Sequence, residues 1–207
     1  MTKEEILGCG AEATVRRIEY LGREAVIKTR SPKGYRHPEL DQRLRSSRTK
    51  NEARIMAEAR KAGVRTPVIY DIDTKECSII MEYVAGRKAK DVLDDEPAKA
   101  KELCEKIGEA VAKLHNSGIA HGDLTTSNII LMPDGELCFF DFSMGSTLAE
   151  VEDMGVDIHL LQRAFTSAHS RLEKELGSMI ICYKKKMNGS KNVMDRVEDI
   201  MSRGRYT

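Results

Sequence analysis

Tryptophan is absent from these 207 residues, and aromatic side chains make up only 5%. A core must therefore be assembled from Leu, Ile, Val, Ala and Met. Cysteine is sparse and scattered: Cys9, Cys77, Cys104, Cys138 and Cys182 stand singly, with no CxxC pair. An odd, dispersed set argues against a disulfide framework or a zinc site and reads as reduced thiols. No apolar run approaches the length of a membrane-spanning helix. The opening MTKEEILGCG is charged and then glycine-rich, which is not a signal-peptide pattern. A cytoplasmic protein with no membrane contact is expected. The net charge is +1, which excludes gross electrostatic attraction by the whole molecule and leaves only local basic patches. Internal repeats and low-complexity tracts are also missing.

What is present is an ordinary globular balance, 41% hydrophobic and 32% charged, long enough for one domain or two small lobes sharing a cleft. Residues 6–27 read as strands, with β-branched alternation in ATVRRIEYLGREAVIKTR and a hairpin turn around Gly22. Residues 31–50 are polar and basic, predicting a loop first and a helix after Pro38. RTKNEARIMAEARKAG is helix-forming, with Gly63 as its stop. PVIYDIDT and CSIIMEYV are two further strand candidates. Beyond residue 84 the period becomes helical: Leu103, Ile107, Val111 and Leu114 recur on one face between Pro97 and Gly118. A loop, a short strand, an Asp134-Gly135 turn and another short strand follow, and the remainder is mainly helical. The pattern predicts an α+β chain, strand-rich and then helix-rich.

The chemistry concentrates in a few places. Gly8 and Gly10, in LGCGAEATV, fall in a strand–turn–strand; glycine there lets backbone N–H groups approach an anion, although a tight hairpin alone would use it too. Lys28 ends an apolar strand and is positioned to reach back beneath that turn toward phosphate oxygens. It needs an acidic partner, for which Glu52 is the best candidate, although Glu58 lies on the same predicted helix. HGDLTTSNIILMPDGELCFFDF then sets Asp123, Asn128 and Asp141 close together. Asn128 and Asp141 supply the hard oxygens Mg²⁺ prefers, and Asp123 could accept a proton from an attacking hydroxyl or water. Singly, each fits an Asx turn or a solvated surface better. In this order, the glycine turn, strand lysine, helix glutamate, HGD…N and DF match the protein-kinase signature set.

The resemblance narrows further. GAEA in the glycine turn, KGYRHPELDQRLRSSRTKNEAR, HGDLTTSN and the later VDIHLLQRAFTSAHS together resemble the small kinase/ATPase subunit of the KEOPS (EKC) complex, archaeal in length and style. That complex serves threonylcarbamoyladenosine modification of tRNA. The resemblance implies a minimal bilobal protein-kinase-like fold, with an N-lobe over residues 1–84 and a C-lobe over residues 85–207. It implies that Leu7, Gly8, Cys9, Gly10, Ala11, Glu12, Ala13, Thr14 and Val15 cover the phosphates of ATP. Lys28 would contact the phosphates and pair with Glu52, and the hinge at Met81, Glu82 and Val84 would meet adenine. Asp123 would be the catalytic base, with Asn128 and Asp141 holding Mg²⁺. It further implies two partners, the tRNA-threonylcarbamoylating subunit on the C-lobe and a small regulatory subunit on the N-lobe.

Departures from ordinary kinases carry expectations of their own. Glu12 brings a negative charge toward the phosphates and should weaken ATP binding unless a cation offsets it. HGD replaces HRD, Thr125 replaces a common lysine, Ser143 stands where DFG has glycine, and too few residues follow Asp141 for a long activation segment. These losses favour ATP hydrolysis serving a complex, with serine/threonine kinase activity secondary. A RIO-type kinase, an aminoglycoside-type phosphotransferase and a non-catalytic nucleotide-binding scaffold are the alternatives. The basic runs (Lys33, Arg36, Arg43, Arg45, Arg48 and Lys50; Lys184 to Lys186; Arg203 and Arg205) read as solvated faces or as contacts for tRNA phosphates.

Overall fold

The computed structural model describes residues 5–10 and 12–203. The alternation of ATVRRIEY and REAVIKTR becomes a hairpin, β2 (Ala13–Tyr20) against β3 (Arg23–Arg30), closed at Leu21-Gly22. β1 (Glu5–Cys9) flanks β2 with a register shift between Ile6 and Gly8. With β4 (Ile69–Asp73) and β5 (Ser78–Glu82) these make a five-stranded antiparallel sheet in the order β1-β2-β3-β5-β4. β3 is thus central, and its register sets Lys28 opposite Val15 on one side and Ile79 on the other.

One helix crosses this sheet, α1 (Pro38–Lys61). Pro38 occupies its first turn with Glu39 and Asp41, and Arg60 and Lys61 occupy its last, charges that suit the helix dipole. The sequence pattern separates a helix after Pro38 from the run beginning at Arg48; the structure joins them in one helix of 24 residues. Thr49, Glu52, Ala53 and Met56 recur at i, i+3, i+4 and i+7 and all are buried, so Glu52 is carried inward with apolar neighbours.

The chain continues through β6 (Arg87–Lys88), α2 (Ala89–Asp95) and α3 (Pro97–Asn116). Leu103, Ile107, Val111 and Leu114 of α3 are at most 3% exposed. Each such fully buried side chain contributes about 1.5–3 kcal/mol over exposure. A 3₁₀ turn over Thr126–Asn128 leads into β7 (Ile129–Leu131) and β8 (Leu137–Phe139). Here β6, a strand that the sequence pattern does not reveal, pairs with β7 in a small sheet ordered β6-β7-β8. Residues 142–150 alone separate Asp141 from α4 (Val151–Ala168), and α5 (Glu173–Lys186) and α6 (Ser190–Arg203) complete the chain. A core of Ile55, Met56, Ile79, Ile107, Leu124, Phe139 and Phe142, among others, runs from beneath the five-stranded sheet into the helices.

Candidate active site

Successive residues of one face of β3, Lys28 and Arg30, both meet the buried acid of α1. Lys28 Nζ donates to Glu52 Oε1 at 2.7 Å, and Arg30 donates to Glu52 Oε2 at 2.5 Å. Lys28 Nζ also donates to Asp141 Oδ1 at 2.7 Å, linking the sheet to the segment after β8. Glu52 is 1% exposed, Arg30 4% and Lys28 7%, so these charges are compensated by one another rather than by water. Glu58, the other acid considered on α1, instead pairs with Lys61 at the surface. Burial opposes the charge on Asp141, but the Lys28 ammonium and hydrogen bonds from Lys28 and Ser143 prevail and hold its carboxyl below the usual range. Asp141 takes a left-handed backbone conformation, φ 64°.

Pairing of β7 with β8 explains how Asn128 and Asp141 approach. The register sets Ile129 against Phe139, and the Phe140 N–H donates to the Asn128 carbonyl at 3.1 Å, leaving Asp141 one residue beyond. The Asn128 side-chain amide donates to the Asp123 carbonyl at 2.8 Å and to its carboxylate at 3.1 Å, which leaves the amide oxygen available as a ligand. Asp123 itself is exposed. Asp123 and Asn128 are therefore joined directly, and Lys28, Glu52 and Asp141 directly, with the two sets meeting through the Asn128 backbone.

Two residues given no role from sequence hold this loop in place. Asp157 of α4, 1% exposed, accepts the backbone N–H of His121 at 2.6 Å and of Gly122 at 2.8 Å. An aspartate flanked by buried Met154, Ile158 and Leu161 on a helix face was the available signal, because a buried acid requires donors. His121, 0% exposed, contacts the Phe140 carbonyl through Nε2 at 3.0 Å and accepts the Asp123 N–H through Nδ1 at 3.3 Å. Burial pushes its pKa down, against the opposing pull of Asp157, Asp141 and Asp123, so the imidazole is neutral. Gly122 has φ +81°, and a Cβ there would lie 2.2 Å from the Met144 carbonyl oxygen. Local geometry therefore excludes the arginine of an HRD sequence from this position.

The glycine turn joins paired strands, with Gly8 opposite Val15 and Cys9 opposite Thr14. Leu7 and Cys9 are exposed, the Gly10 N–H donates to the Ala13 carbonyl at 3.0 Å, and Ala11 lies outside the described residues. Glu12 is held by Arg48 rather than by Lys28, at 3.1 and 3.2 Å. Of the residues expected to form a hinge, Met81 and Val84 are each 8% exposed, and Met81 pairs with Val26. The Glu82 side chain turns away to Arg65 at 2.5 Å and the Val68 N–H at 2.9 Å. Burial raises the Glu82 pKa, but these bonds outweigh it and the carboxyl sits below its ordinary value.

Much of the basic run is committed internally. Asp41 binds Arg45 at 2.7 Å and Arg36 at 3.5 Å, Arg30 serves Glu52 and Arg48 serves Glu12, while Arg43 and Lys50 are exposed on α1. In the second cluster Lys186 pairs with Glu109 at 3.3 Å. Arg203 lies 3.8 Å from Glu152, and Arg205 falls outside the described residues.

What the fold and cleft define is a protein kinase: the family described as protein kinase domain matches residues 1–167. The chain is 44% identical over 208 residues to the probable bifunctional tRNA threonylcarbamoyladenosine biosynthesis protein of Methanothermobacter thermautotrophicus, a match covering 98% of this chain and 37% of that protein. It is 38% identical over 187 residues to the KEOPS complex subunit Bud32 of Pyrococcus abyssi, covering 88% of this chain and 84% of that one. The chain thus spans little more than a third of its bifunctional relatives and most of the shorter one. It belongs to the Bud32 family of protein kinase domains, as the motifs imply. Its α+β bilobal fold is also that of the Rio2 kinase of Chaetomium thermophilum, solved as an ADP/Mg²⁺-phosphoaspartate complex. That likeness has a TM-score of 0.67 at 12% identity, over 100% of this chain and 71% of that one.

Proposed function

We propose that this chain is a Mg²⁺-ATP-dependent phosphotransferase and ATPase that serves threonylcarbamoyladenosine modification of tRNA as a cytoplasmic KEOPS subunit. The observation that carries the proposal is Lys28, buried and bonded at once to Glu52 and Asp141, at 2.7 Å each. A cation fixed from two sides beside a glycine turn suits phosphate oxygens, and this arrangement contributes by positioning and charge rather than by covalent chemistry. The N-lobe would comprise residues 1–84 and the C-lobe residues 85–207, with nucleotide between them and adenine against the backbone of Met81, Glu82 and Val84. Leu7 to Val15 would cover the phosphates.

Asn128 and Asp141 fit Mg²⁺ by donor chemistry: one amide oxygen and one carboxylate kept ionised. Among the described residues no cluster of three or more His, Cys, Asp or Glu forms a metal cage, which suits an ion shared with substrate phosphates. Bound there, Mg²⁺ would neutralise charge on those phosphates. Asp123, exposed and steadied by the Asn128 amide, would accept a hydrogen bond from the attacking hydroxyl or water and take its proton. Lys28 would hold the phosphates, and Glu52 would keep Lys28 aimed. Residues 142–150 leave little chain on which to dock a peptide, so we favour hydrolysis coupled to the complex over protein phosphorylation. The tRNA-threonylcarbamoylating subunit and a small regulatory subunit are the proposed partners, with tRNA reached through exposed basic residues such as Arg43 and Lys50.

The test is phosphate release from ATP by the chain alone, and then with the tRNA-threonylcarbamoylating protein and tRNA added. Stimulation by both together is expected. A rate indifferent to either addition would favour an independent kinase.

A further inference from the structure

An acid in a phosphate-cradling turn is the feature that the nucleotide reading leaves unexplained. The Glu12 carboxylate accepts from Arg48 Nη1 at 3.2 and 3.1 Å, and its Oε2 lies 3.8 Å from Arg30 Nη1. Arg30 is bonded through its other nitrogen to Glu52, Glu52 to Lys28, and Lys28 to Asp141. Alternating charges therefore run without a break from the glycine turn, across β3 and α1, to Asp141, two residues beyond β8. The Ser31 N–H adds a backbone bond to the Glu12 carbonyl at 3.1 Å. At the edge of the turn, a Cβ at Gly8 would meet nothing within 4 Å.

We propose that Glu12, gripped by Arg48 and Arg30, is a latch that sets the position of the glycine turn over the nucleotide, making Glu12 and Arg48 positioning residues for turnover. This rests on the ATP-site reading of the cleft. The acid is then no repellent: two guanidinium groups offset its charge, and its anchorage at the end of the Lys28 network couples the turn to the cation that would hold the phosphates. Glu12 is half-exposed and Arg48 about a third exposed, so the effect is modest. A pair of this kind changes an equilibrium by at most about five-fold.

Cys9, exposed at the end of β1, reports on the turn, whereas Cys77, Cys104 and Cys138 are buried. The experiment compares the full chain with Glu12→Gln, Arg48→Met, the double variant and Arg48→Lys. It reads kcat and KM for Mg²⁺-ATP hydrolysis, and the rate of Cys9 alkylation by iodoacetamide without nucleotide, resolved by peptide mass. Expected are a two- to five-fold lower kcat and faster Cys9 alkylation in Glu12→Gln and in Arg48→Met, a double variant no worse than either of these, and recovery in Arg48→Lys. Additive effects, or a lower KM with kcat and Cys9 unchanged, would overturn the latch. Coupled changes at Cys9 in a chain that hydrolyses no ATP would uphold the latch and overturn the ATP-turnover reading instead.

Discussion

His121 and Glu52 show how single residues define this site by opposite means. Glu52 is buried against two cations that donate to its carboxylate, whereas His121 stays neutral because burial outweighs the acids around it. The second case has a pH signature. A histidine whose folded pKa lies below its unfolded value, about 6.5, binds more protons when unfolded. Its contribution is complete above about pH 6.5 and is lost as pH falls through the folded value. Thermal unfolding followed from pH 7.5 down to 5.5 should show falling stability, and His121→Gln should flatten that fall; an unchanged slope in the variant would remove His121 as its source. The role of His121 could not be read from sequence, because it depends on the Phe140 carbonyl and Asp157, neither of which neighbours it in the chain. Lys28, Asp123, Asn128 and Asp141 could be singled out as candidates because each sits beside a short motif whose order survives in one dimension.

At the scale of elements, periodicity disclosed most of the helices and strands, and close approaches were what it concealed. Gly108 illustrates this: in the middle of α3 it looks like a flaw, since alanine is better in a helix by about 1 kcal/mol. A Cβ at Gly108 would lie 2.3 Å from the Met179 carbonyl oxygen of α5, so the crossing requires glycine. Overpacking of this kind costs about 1–3 kcal/mol, more than the propensity gain. Gly108→Ala should therefore lower the urea midpoint, while Gly177→Ala, with nothing within 4 Å of its Cβ on α5, should raise stability by about 0.5–1 kcal/mol. Stabilisation by both would disprove the tight α3–α5 contact. β6 escaped notice because two residues carry no period, and α1 was divided because its first half shows a basic, polar surface. That same basic stretch was legible as charge but not as structure: Arg36 and Arg45 hold Asp41, and Arg48 holds Glu12, pairings only the fold can assign.

For the whole molecule, the bilobal kinase fold followed from the order of motifs, and the comparisons place the chain in the Bud32 family. The parts that ordinary kinases use for regulation are reduced here for identifiable reasons. Gly122 is enforced by the Met144 carbonyl, and residues 142–150 lead directly into α4, bridged to residue 120 by a pair of backbone bonds of 3.0 Å between Ala120 and Ser146. What remains is the proposed ATP site, whose acids and cations balance across β3, α1 and the segment after β8. The most direct test is Mg²⁺-dependent phosphate release from ATP, comparing the chain with its Asp141→Asn variant. Lys28 keeps Glu52 in that variant, so the fold and its melting temperature should persist, while turnover should drop by at least about 10²-fold. Equal turnover by the two proteins, each folded, would contradict the assignment of this cleft.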